Sequence, residues 1–546
     1  MEKHPLAGRR APESLLMDVA AAQRAYHAAP APSARVSFGT SGHRGTSLSG
    51  TFTESHVMAI AQAICDYRAQ VGIGGPLFVG KDTHALSEQA QDSVLAVLLA
   101  NGVETIIQAD SGYTPTPSIS RAILAYNRDG RSGGAREPSG QADGIVLTPS
   151  HNPPEDGGCK YNPPHGGPAE TAVTGWIQKR ANQLLYEEPQ GVRSLALSEA
   201  MGHRSLHRHD LVGPYVAALD RVVDVEAIAR AGVRIAIDPL GGSSLAYWDR
   251  IASHWGLDLT VVNRVLDPQF SFVAVDHDGK IRMDCSSREV MGSLVDRAAG
   301  YDVACANDPD ADRHGIIAGS AGLVEPNRFL AVAISYLYRH RPAWRKGLAV
   351  GKTVVSSALI DRVAASVGAS LYEVPVGFKW FVSGLFDGTL GFGGEESAGA
   401  SFLCRDGTPW STDKDGIIMG LLAAEMKAVT GHRPNELLTE ILATHGPLWY
   451  RRVDQPCAPE ARQWFAQITE TSLRTATVGG TPASRILLNA PGNGERIGGF
   501  KLESPNGWFA ARPSGTEDIY KIYAESFESE AHLERIIVDA RGWVGG

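Results

Sequence analysis

The feature that most constrains this chain is a repeated pattern: short apolar, β-rich runs alternate with helical spacings, and each run ends in a polar cluster. Pro76–Gly80 reads as a strand and Leu86–Ala100 as a helix, and Gly144–Leu147 is a strand running into Thr148-Pro149-Ser150. Val233–Ile237 ends in Asp238-Pro239-Leu240-Gly241-Gly242, and Tyr301–Ala306 ends in Asp308-Pro309-Asp310. A third unit has helices at Phe329–Arg339 and Ser356–Ser366, an extended run at Leu348–Val350, and Gly391–Gly394 leading into Glu395-Glu396-Ser397. In the last hundred residues Gly507–Ala511 precedes Arg512-Pro513-Ser514-Gly515-Thr516, Tyr520–Ala524 alternates, and a helix closes at Ser529–Ala540. Ligands bind beyond the carboxyl ends of strands in open α/β sheets, so four such loops predict the walls of one cleft.

Length and charge agree. At roughly 150 residues per domain, 546 residues suggest three or four domains. Lys+Arg number 51 against Asp+Glu 60, a net charge of −9 that offers no global field for nucleic acid or an anionic membrane. Six cysteines without CxxC spacing predict reduced, buried thiols and a cytoplasmic protein. No apolar stretch approaches the ~18 residues of a membrane span, and no signal core follows Met1. The Gly-, Ser- and Arg-rich segment Asp129–Gly144 reads as a flexible surface insertion, and His203, His207 and His209 as exposed linker histidines.

In Thr148-Pro149-Ser150-His151-Asn152-Pro153-Pro154, prolines on both sides hold a serine in a rigid loop at a strand end. That presentation suits a nucleophilic or phosphate-carrying serine, and equally a capped turn; His151 adds a proton shuttle and Lys160 a cation. Asp308, Asp310 and Asp312 alternate, a spacing that aims three carboxylates at one hard cation. An EF-hand is excluded, because its sixth and twelfth positions hold Arg313 and Gly319. Mg²⁺ bound beside a phosphate, or a solvated acidic turn, remain, with Arg313 in reach of a phosphate. Gly394-Glu395-Glu396-Ser397 suits the hydroxyls of a polyol or a helix start. The Arg512–Thr516 turn offers a guanidinium fork, hydroxyls and amides to a dianion, or is a surface turn. Phe38–Gly45 is glycine-rich and ends near Arg44, which can reach inward. Gly347–Thr353 imitates a P-loop but has three residues between its glycines where four are needed.

Taken in order, FGTSGHRG at 38–45, TPSHNPP at 148–154, DPDADRHG at 308–315, GEESAG at 394–399 and RPSGTED at 512–518 resemble the α-D-phosphohexomutase family over nearly the whole chain. The resemblance implies three related α/β domains and a smaller C-terminal α+β domain around a central cleft, divided here as 1–205, 206–322, 323–440 and 441–546. It implies Ser150 as phosphoserine and Asp308, Asp310 and Asp312 as ligands of one Mg²⁺ per chain, with Ser150 completing the set. It also implies Glu395 and Ser397 as sugar contacts, Lys379 as a phosphate ligand, and Arg512, Ser514, Gly515 and Thr516 as a phosphate cradle. The sugar loop resembles the glucose-preferring branch, whereas relatives acting on mannose or glucosamine phosphates tend to carry GEMSGH or GEQSGH there. Pro309 and Ala311 depart from the glycines many members have in the metal loop.

The expected activity is interconversion of glucose 1-phosphate and glucose 6-phosphate through glucose 1,6-bisphosphate, with Arg44, Lys160 and Arg313 neutralising the transferred phosphate. A mutase of broader sugar range, a sugar phosphatase and a non-catalytic relative are the alternatives. The expected partner is a small hexose phosphate, with no nucleic acid or membrane, and the chain a monomer or homodimer.

Overall fold

The structure, a computed structural model, describes residues 3–28, 34–39, 42–128, 137–319, 322–514 and 519–545. Three mixed sheets share one plan. In the first, Leu77–Lys81 lies parallel to both Asp143–Leu147 and Thr105–Gln108. In the second, Ile235–Asp238 lies parallel to Val303–Asn307 and Leu259–Val261. In the third, Ala349–Thr353 lies parallel to Leu371–Val374 and Leu390–Glu395. Each parallel core then gains an antiparallel strand by a tight hairpin: Asp156–Asn162, His314–Ile317 and Gly399–Phe402. The fourth sheet is five-stranded and antiparallel throughout, in the order Trp449–Pro456, Ile519–Ser526, Gly507–Pro513, Arg496–Ser504, Arg485–Asn489. These are three α/β/α units followed by a C-terminal unit of a different kind.

Packing follows the sequence pattern. Strands buried on both faces, such as Leu77–Lys81 and Val303–Asn307, carry no solvent-facing alternation. The helix Gly416–Thr430 is buried continuously from Gly416 to Met426, because it packs on the second sheet as well as the third. The C-terminal unit has its own core around Phe500, Phe509, Ile522 and Ile536. A small apolar seam of Val354, Val355, Trp508 and Tyr523 joins it to the third unit. No helix among the described residues is long and apolar enough to cross a membrane.

Several expectations need correction. Leu206–His209 pairs parallel with Thr105–Gln108, so it extends the first sheet and does not open the second unit. His207 and His209 therefore sit on an edge strand, not a linker, and His207 Nε2 meets Glu104 Oε2 at 2.6 Å. The N-terminal segment crosses to the second unit, where His4 N–H donates to His277 O at 3.0 Å and Gly8 N–H to Val275 O at 2.8 Å. Leu323–Val324 closes the second sheet, and helix Pro434–His445 runs through the expected boundary at 440. Of the 129–144 insertion, residues 129–136 lie outside the described residues. The rest is anchored: Gly75 N–H donates to Gln141 O at 3.0 Å, and Asp143 already begins a buried strand. Gly347–Thr353 forms no phosphate loop, because 349–353 is a strand and Lys352 is buried against Asp361 at 2.6 Å.

Candidate active site

The three hairpin turns meet. They connect Leu147 to Asp156, Asn307 to His314 and Glu395 to Gly399, and each holds one non-glycine residue in the left-handed region: Ser150 (φ 62°), Ala311 (φ 54°) and Ala398 (φ 66°). Such a conformation costs roughly 1–2 kcal/mol per residue, so each turn is held there by its neighbours. Ala311 thus takes up the backbone conformation glycine would supply. Across the turns, Ser150 Oγ donates to Asp308 Oδ2 at 2.8 Å, Arg313 Nη1 to Ser397 O at 3.0 Å, and His314 N–H to Ala398 O at 3.0 Å.

Around Ser150 the expected cations assemble. Lys160 Nζ donates to Asp310 Oδ2 at 2.6 Å and Asp312 Oδ2 at 3.2 Å. Burial works against its charge, but Asp310, Asp312 and Asp413 outweigh it and raise its pKa. Arg44 Nη1 donates to Asn152 Oδ1 at 3.1 Å, and burial and the charge of Arg313 lower its pKa. Arg313 loses by burial and gains more from Asp284, Asp312 and Asp308, which raise its pKa. His151 places Nδ1 3.4 Å from Ser150 Oγ, and burial with the Arg313 charge holds its pKa well below the ordinary value.

Asp308, Asp310 and Asp312 are buried, and one carboxylate oxygen from each falls within 4.8 Å of the others. Burial and the charges of Asp310 and Asp312 push the Asp308 carboxyl well above its usual range, while Asp312, desolvated but facing Lys160 and Lys414, goes down. Among the described residues Asp310 Oδ1 and Asp312 Oδ1 accept no hydrogen bond. Repelling carboxylates with unsatisfied buried oxygens are the donor set a hard divalent cation takes, so these residues fit Mg²⁺.

Sequence reasoning missed the residues that complete this cluster. Lys414 Nζ lies 3.0 Å from Asp312 Oδ2 and 3.9 Å from Asp413 Oδ1, brought there by the close approach of two backbones. Gly416 N–H donates to Ala311 O at 2.9 Å, and a Cβ on Gly416 would stand 2.0 Å from Arg313 O. Asp413 is fixed by Asn162 Nδ2 at 3.0 Å, and Thr116 Oγ1 donates to Asp310 Oδ2. The available signal was a lysine between two aspartates directly before an apolar helix capped by Asp415.

The sugar-loop residues divide. Glu395 is buried, accepts Gly377 N–H at 2.9 Å, and has its pKa raised by burial despite Lys414 nearby. Ser397 meets Arg313 through its carbonyl, and Glu396 Oε2 accepts Thr353 Oγ1 at 3.0 Å. Lys379 donates to Thr171 Oγ1 at 2.8 Å, joining the third unit to the first. Arg512 is the penultimate residue of the strand Gly507–Pro513, and among the described residues its Nε has no hydrogen-bond partner. Ser514 N–H donates to Ile519 O at 2.8 Å, whereas Gly515 and Thr516 lie outside the described residues. Tyr523, pushed up to about 12 by burial first, feels both Glu396 of the third unit and Arg512 of the fourth.

Three α/β/α units that turn a serine, an acidic loop and a Glu-Glu-Ser loop onto one another define the class: the chain belongs to the phosphoglucomutase/phosphomannomutase family. Residues 35–187, 213–321 and 325–445 match its alpha/beta/alpha domains I, II and III, and residues 480–542 its C-terminal domain. The chain is 52% identical over 541 residues to a phosphoglucomutase of Komagataeibacter xylinus, covering 98% of this chain and 96% of that protein. It is 26% identical over 509 residues to a phosphoglucomutase/phosphomannomutase of Thermococcus kodakarensis, covering 91% and 96%. The solved structure of pp63/parafusin, a phosphoglucomutase from Paramecium, shares the fold at a TM-score of 0.71 and 21% identity, covering 94% of this chain and 95% of that one.

Proposed function

We propose that the chain is a phosphoglucomutase, an isomerase interconverting glucose 1-phosphate and glucose 6-phosphate with Ser150 as phosphoryl carrier. The observation that carries this is the 2.8 Å contact of Ser150 Oγ with Asp308, at the junction of three turns in a chain so similar to a phosphoglucomutase.

In the forward step the P–Oγ bond of phosphoserine 150 breaks and a bond forms from phosphorus to the free hydroxyl of the sugar phosphate, giving glucose 1,6-bisphosphate. The hydroxyl proton passes by way of His151 to Ser150 Oγ. After the bisphosphate reverses, Ser150 recovers the phosphoryl group from the other oxygen. Lys160, Arg44 and Arg313 spread the charge of the transferring group, and positioning and electrostatics carry most of the rate. Asp308, Asp310 and Asp312, with the phosphate on Ser150, hold Mg²⁺, which supplies further charge neutralisation when bound. Glu395 and Ser397 contact the sugar hydroxyls, and Lys379, Arg512, Ser514, Gly515 and Thr516 grip the phosphate that stays. The GEES sequence favours glucose over mannose or glucosamine phosphates.

Intact-mass analysis and a coupled assay test this reading. Ser150 is expected to carry phosphate after incubation with glucose 1,6-bisphosphate, and Ser150→Ala to lose at least about 10³-fold in kcat while still binding hexose phosphate. Glucose 1-phosphate is expected to outrun mannose 1-phosphate and N-acetylglucosamine 1-phosphate. Absence of phosphate on Ser150 together with normal turnover of the alanine variant would remove the carrier role.

A further inference from the structure

The serine turn is braced from a place that no motif marks. Strand Leu77–Lys81 ends in Asp82-Thr83-His84, all three buried. Thr148 Oγ1 accepts the Ser150 N–H at 2.8 Å and donates its own proton to Asp82 Oδ2 at 2.6 Å. Asp82 Oδ1 accepts Ser87 Oγ at 2.6 Å and His84 N–H at 3.0 Å, while Oδ2 also meets His84 Nδ1 at 2.8 Å. The other ring nitrogen of His84, Nε2, donates to Asn152 O at 3.1 Å. Both ring nitrogens thus face acceptors alone, so the ring carries two protons and forms an ion pair with Asp82 inside the protein.

One pair therefore reaches both flanks of Ser150, Thr148 before it and Asn152 after it, and Asn152 in turn receives Arg44 at 3.1 Å. The same strand end also reaches the second unit. Thr83 Oγ1 donates to Gly241 O at 2.7 Å, and two residues on, Ser243 donates from N and Oγ to Pro309 O, at 2.8 and 2.7 Å, inside the acidic loop. A buried ion pair is a poor source of stability, since desolvation offsets most of its attraction. A left-handed serine, however, needs a fixed frame on either side.

We propose that Asp82 and His84 are positioning residues that hold both ends of the Ser150 turn and so keep its oxygen in register with the acidic loop. This rests on the reading of Ser150 as phosphoryl carrier. Asp82 acts through Thr148 on the Ser150 amide, His84 acts through the Asn152 carbonyl, and neither touches substrate. Since a misplacement of about 1 Å can cost on the order of 10²-fold in rate, the clamp governs kcat and leaves ground-state binding of the sugar phosphate unchanged.

The test uses the full-length protein, with kcat and KM for glucose 1-phosphate, melting temperature, and Ser150 phosphate by intact mass after incubation with glucose 1,6-bisphosphate. Thr148→Val removes the relaying hydroxyl at nearly constant volume and is expected to lower kcat roughly 10- to 100-fold, with KM within about twofold. Thr148→Ser restores the hydroxyl and is expected within about threefold of the parent kcat. Asp82→Asn should match Thr148→Val, and His84→Gln, freeing the Asn152 end, should lose roughly three- to tenfold. A folded Thr148→Val protein with kcat within about threefold of the parent, or equal losses for valine and serine, overturns the proposal. If Asp82→Asn does not fold, the Thr148 pair decides alone. Turnover surviving Ser150→Ala sinks the carrier reading itself, whereas turnover lost in Ser150→Ala and kept in Thr148→Val sinks only the clamp.

Discussion

The Ser150 region and the Arg512 region are built to different tolerances. Ser150 stands where three units share one polar network: its oxygen is tied to Asp308, Lys160 bridges Asp310 and Asp312 from the first unit, and Lys414 reaches Asp312 from the third. Arg512 belongs to a unit with its own core. Among the described residues that unit meets the third through Ser357 and Ala358 to Glu525, Lys501 and Gly492 to Glu373, Arg328 to Leu448 and Tyr450 to Val355. The contrast fits a reaction whose transfer point is fixed while its intermediate reverses. In the proposed reaction a grip that meets either end of the sugar would have to yield, and the phosphoryl donor would not.

Removing charge at the fixed end gives the largest effect. Asp310→Asn is expected to lower kcat roughly 10²- to 10³-fold and to move the Mg²⁺ activation curve to higher concentration, because an amide is a weaker ligand for a hard cation. An unshifted curve with normal kcat would make the three aspartates a structural turn and erase the contrast. At the yielding end, Arg512→Ala removes a charge-assisted contact worth about 1.5 to 3 kcal/mol, or roughly ten- to hundredfold in kcat/KM. The loss should appear with glucose 1-phosphate and with glucose 6-phosphate, since the proposed cradle would serve both orientations. No loss in either direction would make Arg512 a surface residue and reopen the phosphatase reading.

What the sequence disclosed of these two regions depended on how local each one is. The strand-ending clusters at 148–154, 308–315 and 394–399 are contiguous, so their residues were readable before their meeting was. Lys414, Asp413, Thr116 and the Asp82–His84 pair were not, because each reaches the site from another unit or strand end, by pairings such as Asp82 with Thr148 that no spacing encodes. Unit boundaries slipped for a related reason. Leu206–His209 is too short and polar to announce which sheet it joins, and the N-terminal segment docks on the second unit through backbone bonds any sequence can make. The three positive-φ turns were half legible: Pro149 and Pro309 mark the turns, but Ser150, Ala311 and Ala398 lack the glycine that normally signals that conformation.

The smallest expected effect tests whether the yielding end is held by what holds its unit. Glu525 is buried between the third and fourth units, and burial raises its pKa; it accepts Ser357 Oγ and, at 2.8 Å each, Ala358 N–H and Trp508 Nε1–H. Ser357→Ala removes one of three donors and leaves the apolar seam intact, so the fourth unit should stay docked but less narrowly oriented. One hydrogen bond of about 0.5–1.5 kcal/mol corresponds to roughly two- to tenfold, expected here in KM for both hexose phosphates, with kcat nearly unchanged. Ser150 phosphate measured by mass should not move, because among the described residues the serine turn makes no hydrogen bond to that unit. The decisive measurement is the double variant. If the Ser357–Glu525 contact works by presenting Arg512, then Ser357→Ala should add little once Arg512 is alanine, and the cycle should be non-additive despite the distance in sequence. Full additivity would mean that the contact stabilises the fourth unit without aiming it, and the two ends of the site would then differ in composition and not in how firmly they are held.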